Sequence, residues 1–214
     1  MDAPLTTEAP RTQSAPISQI LRGVLDHVEG ETLTIGDIVS ALGDRAMAIL
    51  MILFSLPNCV PVPPGVGLVF GFPMILVALQ MVLGRHLPWL PGVLLNRRLK
   101  AKDYARLMDV AEPRLKRVEA YLKPRYTFLF SDLADRFTGA FFVLCAVSVI
   151  LPLPGSNFPP AVAAVLMSLA IVEEDGVVFS IGVVIGVIGL AYTTLVGGAV
   201  IWGAVAAARA FMGF

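Results

Sequence analysis

Arg45 and Arg136 stand 91 positions apart, and each directly follows an aspartate, Asp44 and Asp135. A guanidinium offers a rigid fork of N–H donors that matches phosphate or carboxylate, so two arginines brought together would bind an anion. The structural reading of the same residues is that each aspartate caps the helix behind it and each arginine anchors at a membrane interface. Both readings stay open on the residues alone. Three uncharged polar residues in apolar surroundings complete the candidate substrate contacts: Asn58, Asn157 and Gln80. The two asparagines lie beside proline-rich breaks, where an amide can satisfy loosened backbone or meet a ligand. Gln80 sits inside an apolar run, where hydrogen bonding between helices is the simpler role.

Other chemistries find no residues to carry them. There is no P-loop, no HExxH, no DxD and no Ser-His-Asp order, so no catalytic residue is assigned and no enzyme is expected. Cys59 and Cys145 fall one to each apolar stretch and read as small hydrophobes; no metal site and no cofactor is expected. His86, next to Pro88 and Trp89, reads as interfacial.

The elements that must position these residues belong to a membrane protein. Hydrophobic residues make up 57% of the 214 and charged residues 15%, with a mean hydropathy of +0.79. A water-soluble domain carries about 25% charged residues. Residues 1–16 are polar and Pro-rich, and read as a disordered tail, not a cleavable signal peptide. Across 17–43, Ile17, Ile20, Leu21, Val24, Leu25 and Val28 mark an amphipathic helix with a stop at Gly30. A second helix follows, opened by Thr34 and Asp37 in a capping-box arrangement, and both are expected at the membrane surface.

The first membrane unit, 44–95, holds two uncharged runs, 46–60 and 66–83, split by Pro61, Pro63, Pro64 and Gly65. At 1.5 Å per residue they reach about 22 and 27 Å, against a hydrocarbon thickness of about 30 Å. A re-entrant piece followed by a span fits, and so does a shallow hairpin. The segment 96–134 is rich in Lys and Arg, with Tyr104, Leu107, Met108, Ala111, Leu115, Val118 and Leu122 at helical spacing. It reads as a basic amphipathic helix or hairpin, bent where Pro113 starts a second helix, lying on the cytoplasmic membrane face. Interleaved acidic residues argue against nucleic acid as a partner. The second unit, 135–176, repeats the design: an apolar run, the break Pro152, Pro154, Gly155, a second apolar run, then Glu173, Glu174 and Asp175 as a solvated loop. Residues 177–209 form a C-terminal membrane segment, either one overhanging helix or two pieces turning at Gly197-Gly198.

At an offset of 91, Asp44-Arg45 falls on Asp135-Arg136 and Pro61-Val62-Pro63 on Pro152-Leu153-Pro154. An internal duplication follows, giving an all-α integral membrane protein with two repeated, Pro/Gly-broken helical units. Broken backbone cannot face lipid, so the breaks must be buried in protein or line a cavity. Matched breaks in two halves point to a transporter-like centre; the plainer alternative makes them the outer turns of two hairpins.

Leu56-Pro57-Asn58 with Pro61-x-Pro63-Pro64-Gly65, Gln80-x-x-x-Gly84-Arg85-x-x-Pro88-Trp89, Pro152-x-Pro154-Gly155-x-Asn157 and Glu174-Asp175-Gly176 together resemble the ExoD-type exopolysaccharide synthesis proteins, over roughly residues 20–200. The resemblance implies a bacterial cytoplasmic-membrane protein tied to exopolysaccharide production, and brings no catalytic residues with it. Three functions are ranked. First comes transporter- or flippase-like handling of an anionic or lipid-linked intermediate, such as a polyprenyl phosphate or lipid-linked saccharide. An assembly or regulatory factor for exopolysaccharide synthesis enzymes is second, and a membrane enzyme is last. The lipid bilayer is the expected partner, and an oligomer is compatible with this reading.

Overall fold

The computed structural model describes residues 16–26, 32–60, 66–85 and 87–212. The tail up to residue 15, the stop at Gly30, the first break (Pro61, Pro63, Pro64, Gly65) and His86 lie outside the described residues. A polar cap and a membrane bundle share the rest.

In the cap, α1 (Ile17–Asp26) packs on α6 (Ala101–Tyr121). Helix α2 (Ile35–Leu42) opens on the expected capping box: the Thr34 hydroxyl accepts from Asp37 N–H at 3.1 Å, and the Asp37 carboxylate accepts from Thr34 N–H at 2.8 Å. Thr34→Ala is expected to cost about 1 kcal/mol, the usual worth of an N-cap, read as a lower unfolding midpoint in detergent. Two three-residue strands, β1 (Thr32–Thr34) and β2 (Arg98–Lys100), pair antiparallel and tie α2 to α6. Strands this short leave no periodic trace in a sequence, and they qualify the all-α expectation.

The basic segment departs from expectation in two ways. Helix α6 runs unbroken through Pro113 instead of restarting there. Contacts to α1 on both sides of the proline explain this. Tyr104 donates its hydroxyl to Leu21 O, while Glu119 accepts from Ser18 N–H and Oγ–H at 2.8 Å each. Part of the apolar stripe also packs inside the cap: Tyr104 and Met108 are buried against Val24 and Leu33, while Leu107 stays exposed. Arg22 bridges to Asp109 at 2.8 Å and Glu112 at 3.3 Å on the exposed side.

Gly43, at φ 54°, ends α2 and turns the chain into the bundle. There, α3 (Ala46–Ser55) is continued by a 3-10 turn at Leu56–Cys59, and α4 (Val66–Val82) follows. After the short α5 (Gly92–Leu95) and the cap come α7 (Asp132–Ile150), α8 (Phe158–Glu173) and α9 (Gly176–Met212). Three stretches are long and apolar enough to cross a membrane: Ile35–Cys59, Leu133–Ile150 and Gly176–Met212. Helix α3 packs on α8, α4 on α7, and α9 along α8. The core between the four hairpin helices is rich in methionine: Met47, Met51, Met74, Met81 and Met167 surround Phe142. Lipid supplies no hydrophobic drive between helices, so association here depends on close fit. Met side chains suit irregular gaps of this kind.

Neither aspartate caps its helix. The N-cap of α7 is Ser131, whose hydroxyl accepts from Ala134 N–H, and Asp135 lies inside the first turn. Asp44 sits in a 3-10 turn ahead of α3, whose N-cap, Arg45, makes no side-chain cap bond. The acidic cluster is also not a solvated loop throughout. Asp175 is 3% exposed and accepts from Lys123 N–H and Val177 N–H at 3.0 Å and Val178 N–H at 3.2 Å. It therefore starts α9 and fastens it to the end of the cap.

Helix α9 is one piece of 37 residues, without a turn at Gly197-Gly198. At 1.5 Å per residue it measures about 55 Å. Its first half runs beside the bundle to Tyr192, which donates to Pro154 O at 2.9 Å, and Thr193, which shares a hydrogen bond with Ser148. From about Gly198 to Met212 it is exposed, Trp202 at 76%.

Candidate functional site

Each pair of bundle helices forms a hairpin, and the two hairpins point the same way. Asp44 and Met47 at the start of α3, Gly84 and Arg85 after α4, Asp135 and Arg136 in the first turn of α7, and Ile171 near the end of α8 line one cavity of about 100 Å³. Asn58, Val60 and Gly67 from the first hairpin, and residues 149–155, 157 and 158 from the second, line another of about 380 Å³. The first cavity is charged and the second mostly apolar. Met47 and Asn58 are eleven residues apart along one helical segment, so the cavities lie about 16 Å apart. Met51, Met74, Phe142 and Ala146, each 0% exposed, fill the space between them.

At the charged cavity, the Gln-x-x-x-Gly-Arg-x-x-Pro-Trp run acquires a physical reason. Gln80 accepts the Trp89 N–H with its carbonyl oxygen and donates from Nε2 to Leu76 O at 3.0 Å. Its amide therefore fastens the Pro-Trp turn to α4, and Gln80 does not line either cavity described. Gly84, at φ 70°, ends α4, and a Cβ there would lie 2.7 Å from Arg136 Nη2 and 2.9 Å from Nε. The guanidinium of Arg136 rests on bare glycine backbone; a side chain there would have to push it aside and would sit at a strained positive φ. Arg85, next in the chain, adds a second guanidinium to the wall.

The arginine pair is thus not the one the repeat suggested. Arg136 and Arg85 share the cavity, whereas Arg45 lies where its charge acts on Glu173 of α8. In the sequence Arg85 stands out only as part of the Gln-x-x-x-Gly-Arg-x-x-Pro-Trp run; its place beside Arg136 depends on the packing of α4 on α7. Asn58 and Asn157, from different hairpins, meet at the apolar cavity, and Gly155 and Pro152–Pro154 form part of its wall. Asn157 is the first-turn boundary of α8, without a side-chain cap bond, and its Oδ1 accepts from Ser156 Oγ at 3.2 Å. Among the described residues no group of three or more His, Cys, Asp or Glu could hold a metal ion. Cys59 and Cys145 are free thiols.

Apolar spans, a charged surface cap and two cavities at opposite ends of a helical bundle define a multi-pass membrane protein. The family profile described as "Exopolysaccharide synthesis, ExoD" matches residues 17–195. Protein ExoD of Rhizobium meliloti (strain 1021) is 32% identical over 171 residues, covering 78% of this chain and 71% of that one. An uncharacterized protein of Synechocystis sp., slr1875, is 29% identical over 161 residues, covering 74% of this chain and 76% of that one. The chain belongs to the ExoD family, and through it is linked to exopolysaccharide synthesis. No solved structure matches it.

Proposed function

We propose that this protein handles a lipid-linked anionic intermediate of exopolysaccharide synthesis, in transporter- or flippase-like fashion, in the cytoplasmic membrane of a bacterium. The observation that carries this reading is the meeting of Arg85 and Arg136 at a cavity on the charged end of the bundle. That end is also where the basic cap sits, so the positive-inside rule puts it at the cytoplasmic headgroups, where a polyprenyl phosphate would present its charge. Asp44 and Asp135 on the same wall offset the arginines and favour an anion that binds and leaves over one held permanently.

Hairpin height supports the same reading. Helices α4 and α8 have 17 and 16 residues, about 25 Å, and stop short of a full hydrocarbon crossing. Trp202, about 40 Å along α9, suits the far headgroup layer. The second proline-broken tip, Pro152–Gly155, then lies inside the membrane as a re-entrant turn lining the apolar cavity, with the packed methionines as the barrier between two openings. The matched partners α3–α8 and α7–α4 suit a duplication with a pseudo-two-fold axis along the membrane normal, so the repeats are parallel, not inverted.

The test is binding and translocation of a fluorescent polyprenyl phosphate by purified protein in liposomes. The Arg85→Ala, Arg136→Ala double variant is expected to bind at least about tenfold more weakly, since charged hydrogen bonds are worth about 1.5–3 kcal/mol each. Equal binding by wild type and double variant, with both folded, would sink the anion site. One observation favours a second reading. With Tyr104 and Met108 buried against α1 and β1, the basic outer face of α6, with exposed Lys102, Arg106, Arg114 and Arg117, is left as a surface for an assembly partner. Neutralising those four charges should then abolish polysaccharide output while lipid binding persists.

A further inference from the structure

We infer that the charged cavity recognises a terminal phosphate that still carries a proton, and that Asp44 and Asp135 are the residues that select it. This rests on the anion site proposed above, and names the chemistry of the anion.

The make-up of the wall carries the inference. A site for a bare anion needs donors only, yet two carboxylates, Asp44 and Asp135, line the cavity together with Arg85 and Arg136. The α4 end adds no backbone donor, because Gly84 N–H is spent on Met81 O at 2.9 Å and Arg85 N–H on Gln80 O at 3.0 Å. Among the described residues Asp44 forms no ion pair with Arg85 or Arg136, so these opposite charges do not quench one another by direct contact. Asp44, Arg85 and Arg136 are all exposed, and a ligand from outside can reach them.

A wall with donors and acceptors calls for a ligand with both. A doubly ionised phosphate, a phosphodiester and a sulfate ester offer acceptors only, and each would set an oxygen against a carboxylate. A singly protonated terminal phosphate keeps negative charge for the arginines and one O–H to donate to an aspartate. Its second ionisation falls at about pH 6, so this form is present near neutrality. Size agrees. At about 100 Å³ the cavity is smaller than the roughly 150 Å³ that takes a benzene ring, so it leaves no room for a sugar ring beside the phosphate. A sugar joined to that phosphate would also replace its O–H. The carrier lipid is therefore recognised before its saccharide is attached or after the saccharide has been removed, which places this protein beside the reactions that load and unload the carrier.

The experiment uses the full chain in phosphatidylcholine nanodiscs, with calorimetric titrations at about pH 5.5 and about pH 8, either side of the phosphate ionisation. The probes are monobutyl phosphate, butyl sulfate, inorganic phosphate and farnesyl phosphate. At the lower pH monobutyl phosphate should bind at least about tenfold more tightly than butyl sulfate. At the higher pH its binding should weaken at least about tenfold although its charge has doubled. Butyl sulfate has no proton to lose, so it reports any titration on the protein side, that of His86 next to Arg85 included. Asp44→Asn or Asp135→Asn should raise sulfate binding at least about tenfold, since an amide N–H can donate where a carboxylate cannot. Farnesyl phosphate bound more tightly than inorganic phosphate assigns a lipid headgroup as the source; equal binding assigns the free ion, and sinks lipid handling while proton recognition stands. Phosphate and sulfate bound equally, or phosphate bound more tightly at the higher pH, would overturn the inference and leave a plain anion site. No binding of either would remove the anion site itself. A preference for phosphate kept in both Asn variants would overturn the role given to the aspartates, and the wild-type titrations decide the ligand class whether or not those variants fold.

Discussion

Asp175→Ala is expected to destabilise the folded protein by about 3–5 kcal/mol, the range seen when a buried charged hydrogen-bonding group is removed. Its carboxylate is buried and receives three backbone N–H groups: Lys123 from the end of the cap, and Val177 and Val178 from the first turn of α9. Truncation leaves all three without their acceptor. It also loosens the corner at which Gly176 N–H donates to Arg125 O at 2.7 Å and Arg125 N–H donates to Glu174 O at 3.0 Å. Burial alone would raise the Asp175 carboxyl, but the three hydrogen bonds, with Arg125 nearby, outweigh it and hold the group below its ordinary 3.8. A folded-state value below the unfolded one means the stabilisation is complete above the unfolded value and is lost as pH falls through the folded one. Wild type should therefore lose this contribution only below about pH 4, and Asp175→Ala should flatten that part of the profile. Unfolding midpoints measured in detergent from pH 7 down to 3 check both claims. A variant as stable as wild type at pH 7 would remove the corner from the account of what holds α9.

Gly139→Ala should also destabilise the fold, although alanine is the better helix former. A Cβ at Gly139 would lie 2.7 Å from Val82 N, 2.8 Å from Met81 Cβ and 3.0 Å from Ala78 O. Two of those atoms are backbone of α4 and cannot rotate away. The propensity gain is about 1 kcal/mol, whereas forcing atoms into a packed contact costs about 1–3 kcal/mol or more when backbone must move. The loss wins, α4 is levered off α7, and the Gly84 seat for Arg136 shifts with it. Gly67 makes the matching approach at the tip end, where a Cβ would run into Val149 O and lie 2.9 Å from Asn157 Nδ2. Gly198 supplies the control: nothing lies within 4 Å of its absent Cβ, so Gly198→Ala should be neutral or gain up to about 1 kcal/mol. Parallel unfolding curves for Gly139→Ala, Gly67→Ala and Gly198→Ala test the contrast. Equal behaviour of Gly139→Ala and Gly198→Ala would show that the α4–α7 contact is looser than described.

The residues themselves carried much of this architecture. Run lengths against bilayer thickness marked 46–60 as too short for a straight crossing, 66–83 as just long enough and 177–209 as over-long, because rise per residue is a constant of the helix; the last is the single 37-residue α9, whereas the first belongs to a stretch long enough to cross, Ile35–Cys59. The Thr34–Asp37 box was readable because a capping box is local, as were the second break and the capacity of the membrane runs for helix. Other features were hidden in distance. Nothing in the spacing of α6 tells whether its apolar stripe meets lipid or α1, since both present the same apolar face. The burial of Asp175 depends on Lys123, 52 positions away, and three adjacent acids look solvated until a partner strand of backbone covers one.

The site shows the same division. Arg45 and Arg136 drew notice by matching across the repeat, and the sequence alone named the candidates, arginines at an interface and amides at proline breaks. Only the packing of α4 on α7 and of α3 on α8 decided which of them meet: Arg136 with Arg85 over Gly84, and Asn58 with Asn157 at the tips. Composition and run length report how each segment partitions between water and lipid, one segment at a time. Which helices touch is set by where glycine lets backbones approach, and that is a property of pairs.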